Sequence, residues 1–321
     1  MKVLFIFLDG IGLGENNPET NPFANAKMPN LNALLDGRSL LKESAPFHGE
    51  RASLVAIDPN VGVAGLPQSA TGQAMLVTGK NISAELGYHY GPKPNPAVAE
   101  YLKTDTIFSK CAATGKKAAL LNAYPPRYFD GIDSGKRLYS SIPLAVTNAG
   151  LPLFTDQDFI AGRALSADFT GEGWRTMLGF PDAPVMDAPQ AGRKLATLAK
   201  EYDFSLFEYW ASDYAGHKQQ METAVGLMEI FDGVLGGLLE EMVDERGKTL
   251  APGASAGVKE ELLVVVTSDH GNMEDLSTRK HTDAHVPALV IGEKSARDEF
   301  TSDMKDITDI APAIWQTVNG Q

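Results

Sequence analysis

The sequence predicts an α/β protein: a doubly wound, mostly parallel sheet flanked by helices, with a small inserted cap. Three observations carry that expectation. The runs KVLFIFL (Lys2–Leu8), FSLFEYW (Phe204–Trp210) and ELLVVVTSDHG (Glu261–Gly271) are mostly apolar before their ends, as strands buried on both faces are. Helical patterns alternate with these runs, and no segment repeats itself. The runs also stop at polar turns, on the carboxyl edge where open α/β sheets bind ligands.

Taken in order, the first strand ends at Asp9-Gly10, and IGLGENNPET continues as loop. GIGLG is not a dinucleotide fingerprint, because position 15 is Glu where the third Gly belongs and NNPETNPF cannot open a helix. The glycines are expected to let the backbone pass close beside Asp9. MPNLNALL (Met28–Leu35) reads as a helix starting after Pro29, and residues 48 to 67 as short strands and a Pro-Gly loop. In SATGQAMLVTGKN (Ser69–Asn81), Ser69 takes an N-cap position before a helical pattern. A capping role alone would explain it. Gly79-Lys80 lacks the flanking residues of a phosphate-binding P-loop.

Tyr101–Gly115 reads as one helix and Lys117–Asn122 as a strand. From Tyr124 to about Pro189 periodicity breaks up, with aromatics set among Gly, Pro and Asp; a loop that long is suspect, so a cap with short elements is expected. A helix is expected from Pro189 to Glu201, with Pro in its first turn. After the strand ending at Trp210, Asp213 and His217 stand four apart, on one face of a helical turn. A long amphipathic helix follows, with Val225, Met228, Phe231, Leu235, Leu238 and Met242 as a core stripe. Ala251–Val258 reads as a surface loop, Ala288–Ile291 as a strand and Thr308 as the start of a last helix.

The 321 residues suit one α/β domain, with the cap at about 124–189, and 43% apolar content suits an ordinary core. No apolar run reaches the ~20 residues a membrane span needs. A strand beginning at Lys2 leaves no room for a signal peptide, and a lone cysteine, Cys111, fits a reducing cytoplasm and a structural role. A formal charge of −13 argues against a nucleic-acid partner. An anionic substrate would then be attracted locally, by metal ions, helix N-termini or a few Lys and Arg.

Three strands thus end in metal-competent residues: Asp9; Asp213 with His217; Asp269 with His270, and His281 lies just beyond. Each is weak evidence alone, but all would gather at one sheet edge. His48, His89 and His285 fall outside the set, with His89 and His285 left as pocket-lining candidates. Lys80 and Asn81 are candidates for orienting a phosphoryl group, with surface solvation the equal alternative; for Arg279 and Lys280 solvation is the simpler reading.

FLDGIG with PNLNAL, then SATG…TGKN, SDYAGH, SDHGN and HTDAHVP, in this order, resemble the alkaline phosphatase superfamily. Within it the chain is similar to the metalloenzyme domain shared by cofactor-independent phosphoglycerate mutase and phosphopentomutase. The resemblance covers both ends and is poor only across Tyr124–Pro189. It implies two metal sites, Asp9, Asp269 and His270 for one ion and Asp213, His217 and His281 for the other. Ser69 stands at the position of the phosphorylated nucleophile, facing both ions, with Thr71 as the fallback. Mixed oxygen and nitrogen ligands suit Zn²⁺ or Mn²⁺ better than Mg²⁺.

The implied activity is hydrolysis of a small phosphorylated substrate through phosphoserine. A phosphomutase is the second reading, and a non-catalytic metal-binding protein the third. The family's mutases close a large inserted domain over the substrate, and the cap expected here is too small to match, so hydrolysis is favoured. QSATG lacks the C/S-x-P-x-R setting of a sulfatase.

Overall fold

The computed structural model describes residues 1–242 and 262–320. In chain order the strands are β1 Lys2–Leu8, β2 Phe47–His48, β3 Ala52–Ile57, β4 Ala118–Leu120, β5 Ala123–Tyr124, β6 Phe154–Thr155, β7 Phe204–Tyr209, β8 Leu262–Thr267 and β9 Val286–Ile291. Seven of them form one sheet in the order β2-β3-β9-β8-β1-β7-β4, and β5 and β6 pair separately. The block β4-β7-β1-β8 is parallel, whereas β9, β3 and β2 attach to it antiparallel. The doubly wound, mostly parallel sheet expected from the apolar runs is therefore the fold. Leu8 lies opposite Tyr209, and Phe7 opposite Thr267. The three central strands thus end in step, which brings the polar turns after them to one edge.

Side-chain alternation along β1 splits the core into two layers. Leu4, Ile6 and Leu8 pack with residues of the helices Ala188–Ala199 and Met221–Glu240; Val3, Phe5 and Phe7 pack with the helices Ser69–Thr78 and Ile310–Asn319. Each such fully buried side chain contributes about 1.5–3 kcal/mol of burial free energy. That is why these strands carry no polar alternation.

Several boundaries differ from the expected ones. The single helix over Tyr101–Gly115 is two, Pro96–Tyr101 and Ile107–Ala113. The chain turns at Asp105, whose φ is +64°, and Thr106 caps the second helix by accepting from Ser109 N. Cys111 is buried there, its thiol pushed up to about 12 by burial. Ser69 is the first residue inside its helix, with Gln68 at the cap and no side-chain cap bond. Pro29–Leu34 is helical from the proline itself, and the last helix, Ile310–Asn319, follows a 3₁₀ turn at Ile307–Asp309. The Ala251–Val258 loop lies outside the described residues.

Between Tyr124 and Pro189 the chain makes short elements: β6 and the helices Pro126–Asp133, Ser141–Asn148, Asp156–Ile160 and Glu172–Thr176. They are not all peripheral. Ile142, Ala145 and Val146 join the second core layer, and Phe169 stacks on Phe207 at 4.6 Å. Ala123, Phe159, Ala164, Trp174 and Ala183 form a small cluster of their own. Among the described residues no helix is long and apolar enough to cross a membrane.

The helices Ala188–Ala199 and Met221–Glu240 approach so closely that a Cβ on Gly192 would collide with the Val234 carbonyl oxygen, whereas one on Gly226 meets nothing within 4 Å. Gly192→Ala is expected to lose about 1–3 kcal/mol or more. Gly226→Ala should gain about 0.5–1 kcal/mol from helix propensity. Urea unfolding of the two variants checks this, and equal effects would contradict the packing.

Candidate metal centre

Five of the six expected ligands reach one edge because β1, β7 and β8 end together, and His281 joins them from the loop before β9. Asp9 follows β1 directly, and its backbone N–H bonds the Tyr209 carbonyl at 3.0 Å. Asp213 and His217 lie on the helix Ala211–Lys218, which starts as β7 ends. Asp269 and His270 follow β8, fully buried. Hydroxyls tie the turns together: Ser212 Oγ donates to the Asp9 carbonyl at 2.6 Å, and Ser268 Oγ accepts from Ile11 N at 2.9 Å. Two glycines make the close approach possible. Gly10, at φ +69°, would drive a Cβ to 2.7 Å from Asp213 Oδ1, and a Cβ on Gly72 would reach 2.8 Å from Asp269 Cβ. The glycine after β1 thus makes room for Asp213, where the sequence suggested room beside Asp9.

Two ligand groups result. Asp9, Asp269 and His270 bring one potential ligand atom each within 4.8 Å of the others, and so do Asp213, His217 and His281. In the first, His270 Nε2 is 3.5 Å from Asp9 Oδ1 and 3.6 Å from Asp269 Oδ2. In the second, His217 Nε2 is 3.3 Å from Asp213 Oδ2 and His281 Nε2 is 3.8 Å from Asp213 Oδ1. The groups touch: the His270 and His281 rings stack with centroids 3.7 Å apart.

The donor set fits divalent cations. Nδ1 of His217 is 2.7 Å from the Arg279 carbonyl, Nδ1 of His281 is 2.7 Å from the Pro67 carbonyl, and Nδ1 of His270 is 3.3 Å from the Gly271 carbonyl. A carbonyl only accepts, so these contacts assign the N–H to Nδ1 and turn a bare Nε2 inward in each neutral ring. Burial first, and the neighbouring imidazoles after it, hold His270 well below the ordinary histidine pKa; burial likewise lowers His281. Burial first, then repulsion from Asp269 and Asp213, pushes Asp9 well above the usual carboxylate range, and burial with repulsion from Asp213 does the same to Asp269. Asp9 Oδ1 and both carboxylate oxygens of Asp269 are buried without a hydrogen-bond partner. Acceptors facing acceptors in a dry site are unfavourable unless a cation lies among them.

Ser69 Oγ is 3.0 Å from His270 Nε2. The hydroxyl is therefore free of capping duty and points at the ligand groups. Thr71 is not so placed: its Oγ1 donates to Gln68 O at 3.1 Å and accepts from Tyr90 N at 3.1 Å. The Thr71 N–H is bonded to Tyr90 O and the Gly72 N–H to Gln68 O, which narrows the helix's open N–H groups to those of Ser69 and Ala70.

Three suggested substrate contacts do not reach this edge. Lys80 pairs with Asp105 at 3.0 Å. Asn81 caps the helix Ile82–Leu86 and donates to Val61 O at 2.9 Å. His89 bonds Ser83 and the Val63 carbonyl. For Lys80 and Asn81 the reason is the ten-residue helix from Ser69 to Thr78, ~15 Å long, which carries its C-terminal end away. His285 lines two clefts with Asp283, neither of which includes Ser69 or any of the six expected ligands. Arg279 Nε donates to Gln219, leaving its carbonyl as the part that serves the site.

Other residues enter unannounced. Asn272, within SDHGN, donates to Asp213 Oδ1 at 2.6 Å. Glu274 accepts from Gly12 N and Asn272 N and from the Thr282 hydroxyl, bracing the turn. Beside Ser69, Asp9 and Asp213 opens a cavity of about 620 Å³. Glu208, the lone charge of β7, lines it and accepts from the Tyr124 hydroxyl at 2.9 Å. Its backbone is clamped by Asn122, which accepts from Glu208 N at 2.7 Å and donates to Glu208 O at 2.9 Å. A single acid inside an apolar strand was the available signal.

A family model described as the Metalloenzyme superfamily matches residues 176–319. The 2,3-bisphosphoglycerate-independent phosphoglycerate mutase of Photobacterium profundum is 26% identical over 171 residues, 49% of this chain and 30% of the mutase. The match thus spans under a third of that relative. The solved structure of the PH0037 protein from Pyrococcus horikoshii aligns with 100% of this chain and 97% of its own at TM-score 0.53 and 14% identity, a likeness of fold. The alkaline phosphatase of the Antarctic bacterium TAB5 aligns over 99% of this chain and 97% of its own at TM-score 0.48 and 12% identity, too distant to add to that.

Burial pushes Glu208 up to about 7 from 4.5, against the pull of Tyr124 and Lys93. The folded chain therefore keeps a proton that the unfolded chain loses, and stability falls as pH rises from 4.5 to about 7. Glu208→Gln removes that loss. In urea unfolding of chelator-treated protein, the variant should gain on wild type by up to about 3 kcal/mol between about pH 5 and about pH 8. A pH-independent difference would contradict the assignment.

Proposed function

We propose that the chain, whose residues 176–319 match the Metalloenzyme superfamily, is a metalloenzyme of the alkaline phosphatase superfamily that hydrolyses phosphate esters through a phosphorylated Ser69. The observation that carries the reading is the 3.0 Å approach of Ser69 Oγ to His270 Nε2, which joins a nucleophile to the paired ligand groups. Asp9, Asp269 and His270 would hold one divalent ion, and Asp213, His217 and His281 a second; Zn²⁺ or Mn²⁺ suits these donors. Bound ions would favour ionisation of the serine and balance charge on the phosphoryl oxygens.

The chain's own residues supply the rest. The carbonyls of Gly271, Arg279 and Pro67 fix the ring tautomers, so no proton has to leave an Nε2 before it can ligate. The N–H groups of Ser69 and Ala70 open the helix toward the phosphoryl oxygens. Ser69 Oγ forms a bond to phosphorus as the ester oxygen departs with a proton, and water then cleaves the phosphoserine to release phosphate and restore the hydroxyl.

Water access favours hydrolysis over transfer. Met177 and Trp210 line the cavity yet are 72% and 57% exposed, so the mouth stands open to solvent. The mutase reading keeps support from the curated relative's name.

The test is a phosphate-ester panel with protein loaded with Mn²⁺ or Zn²⁺, beside Ser69→Ala. The variant should lose about three orders of magnitude or more in kcat. Surviving activity would remove Ser69 from the role, and positional transfer without phosphate release would favour the mutase.

A further inference from the structure

The two ligand groups are built differently. In the first, Asp9 Oδ1 and both carboxylate oxygens of Asp269 are buried without a hydrogen-bond partner. In the second, Asp213 is only half-buried and sits in the first turn of an eight-residue helix, where water competes for its carboxylate. One protein group answers it. Asn272 Nδ2 donates to Asp213 Oδ1 at 2.6 Å and to the Asp213 carbonyl at 3.2 Å. Oδ2 is then the oxygen that faces the bare Nε2 of His217, 3.3 Å away.

Two unfavourable features accompany this contact. Asn272 is fully buried, and its backbone N–H donates to Glu274 Oε2 at 2.7 Å, which anchors the turn after β8. Yet its side-chain oxygen has no hydrogen-bond partner. A buried acceptor left unanswered is destabilising, and an apolar side chain of the same shape would avoid that loss. Packing alone therefore does not account for an amide here. The second feature is Gly216, inside the helix Ala211–Lys218 and between the two ligands it carries. Glycine weakens a helix interior. A Cβ on Gly216 would lie 2.6 Å from Asn272 Oδ1 and 2.7 Å from its Cγ. The missing side chain is what lets the amide press against the helix and reach Asp213.

We propose that Asn272 is a positioning residue, whose amide holds the Asp213 carboxylate in the orientation that ligates the ion of the Asp213, His217 and His281 group, and that Gly216 admits it. This rests on the reading of those three residues as metal ligands. A neutral donor suits the task, because it restrains an anionic ligand without cancelling the charge that the cation needs. Burial does for Asp9 and Asp269 what the amide does for Asp213, so the ion of the first group does not depend on Asn272.

Calorimetric titration of chelator-stripped protein with Mn²⁺ tests it. Wild type should take up two ions. Asn272→Leu, an apolar side chain of similar shape, should weaken one of them by about 10–100-fold and leave the other at its wild-type Kd. Gly216→Ala should do the same by displacing the amide, although alanine is the better helix former, and it decides alone if Asn272→Leu fails to fold. In His217→Ala, which lacks a ligand of that group, adding Gly216→Ala should leave the Kd of the remaining ion unchanged. Equal weakening of both ions would make Asn272 a brace for the turn and overturn the proposal. Wild-type affinity for both ions in either variant, or a further loss in the His217→Ala background, would overturn it as well. A wild type that takes up fewer than two ions fails differently: it removes the metal centre itself, and the proposal with it.

Discussion

Unpaired acceptors packed against one another are the constraint on which this structure turns. His281 presents a bare Nε2 to His217 Nε2 at 3.3 Å, and two buried carboxylates face a neutral imidazole with three of their oxygens unbonded. Each such group would cost several kcal/mol in a dry site if nothing answered it. Everything around the edge holds these acceptors in place. Backbone carbonyls fix the imidazoles, the Ser212 and Ser268 hydroxyls knit the three strand ends, and Gly10 and Gly72 leave room for the crowding. A fold that sought stability alone would not keep such a cluster; one that binds divalent cations requires it.

Strand register converts sequence-distant residues into that cluster. Asp9 and Asp269 are 260 positions apart, yet β1 and β8 are neighbours and end together. The mostly apolar runs made this legible, because strands buried on both faces hold few polar residues until they leave the sheet. The same logic exposed Asp213 and His217, whose four-residue spacing needs only one helical turn. Ser69 was less legible. As a cap it would have been unremarkable, and only its contact with His270 separates the two meanings.

What escaped the sequence has physical reasons too. Lys80 and Asn81 follow Ser69 closely in the chain, but a rigid helix separates sequence proximity from spatial proximity, and His89 is engaged by Ser83 and the Val63 carbonyl. The cavity beside Ser69 draws much of its lining from residues 122–178, where short elements are held by contacts such as Phe169 on Phe207 and Tyr124 on Tyr128. Those contacts leave no periodic trace. Glu208 is invisible to periodicity as well; its environment comes from Asn122 and Tyr124, which are 86 and 84 residues away. Carboxylates and cations both line the cavity at this edge, within a chain that is acidic overall.

Metal content and thermal unfolding of the same preparation test the central claim most directly. Metal-replete protein should hold two divalent ions per chain, and stripping them with a chelator should lower the unfolding midpoint. Each ion at a thousandfold excess over its Kd adds about 4 kcal/mol to the folded state. Fewer than two ions under replete conditions, or a midpoint that chelation leaves unchanged, would contradict the account.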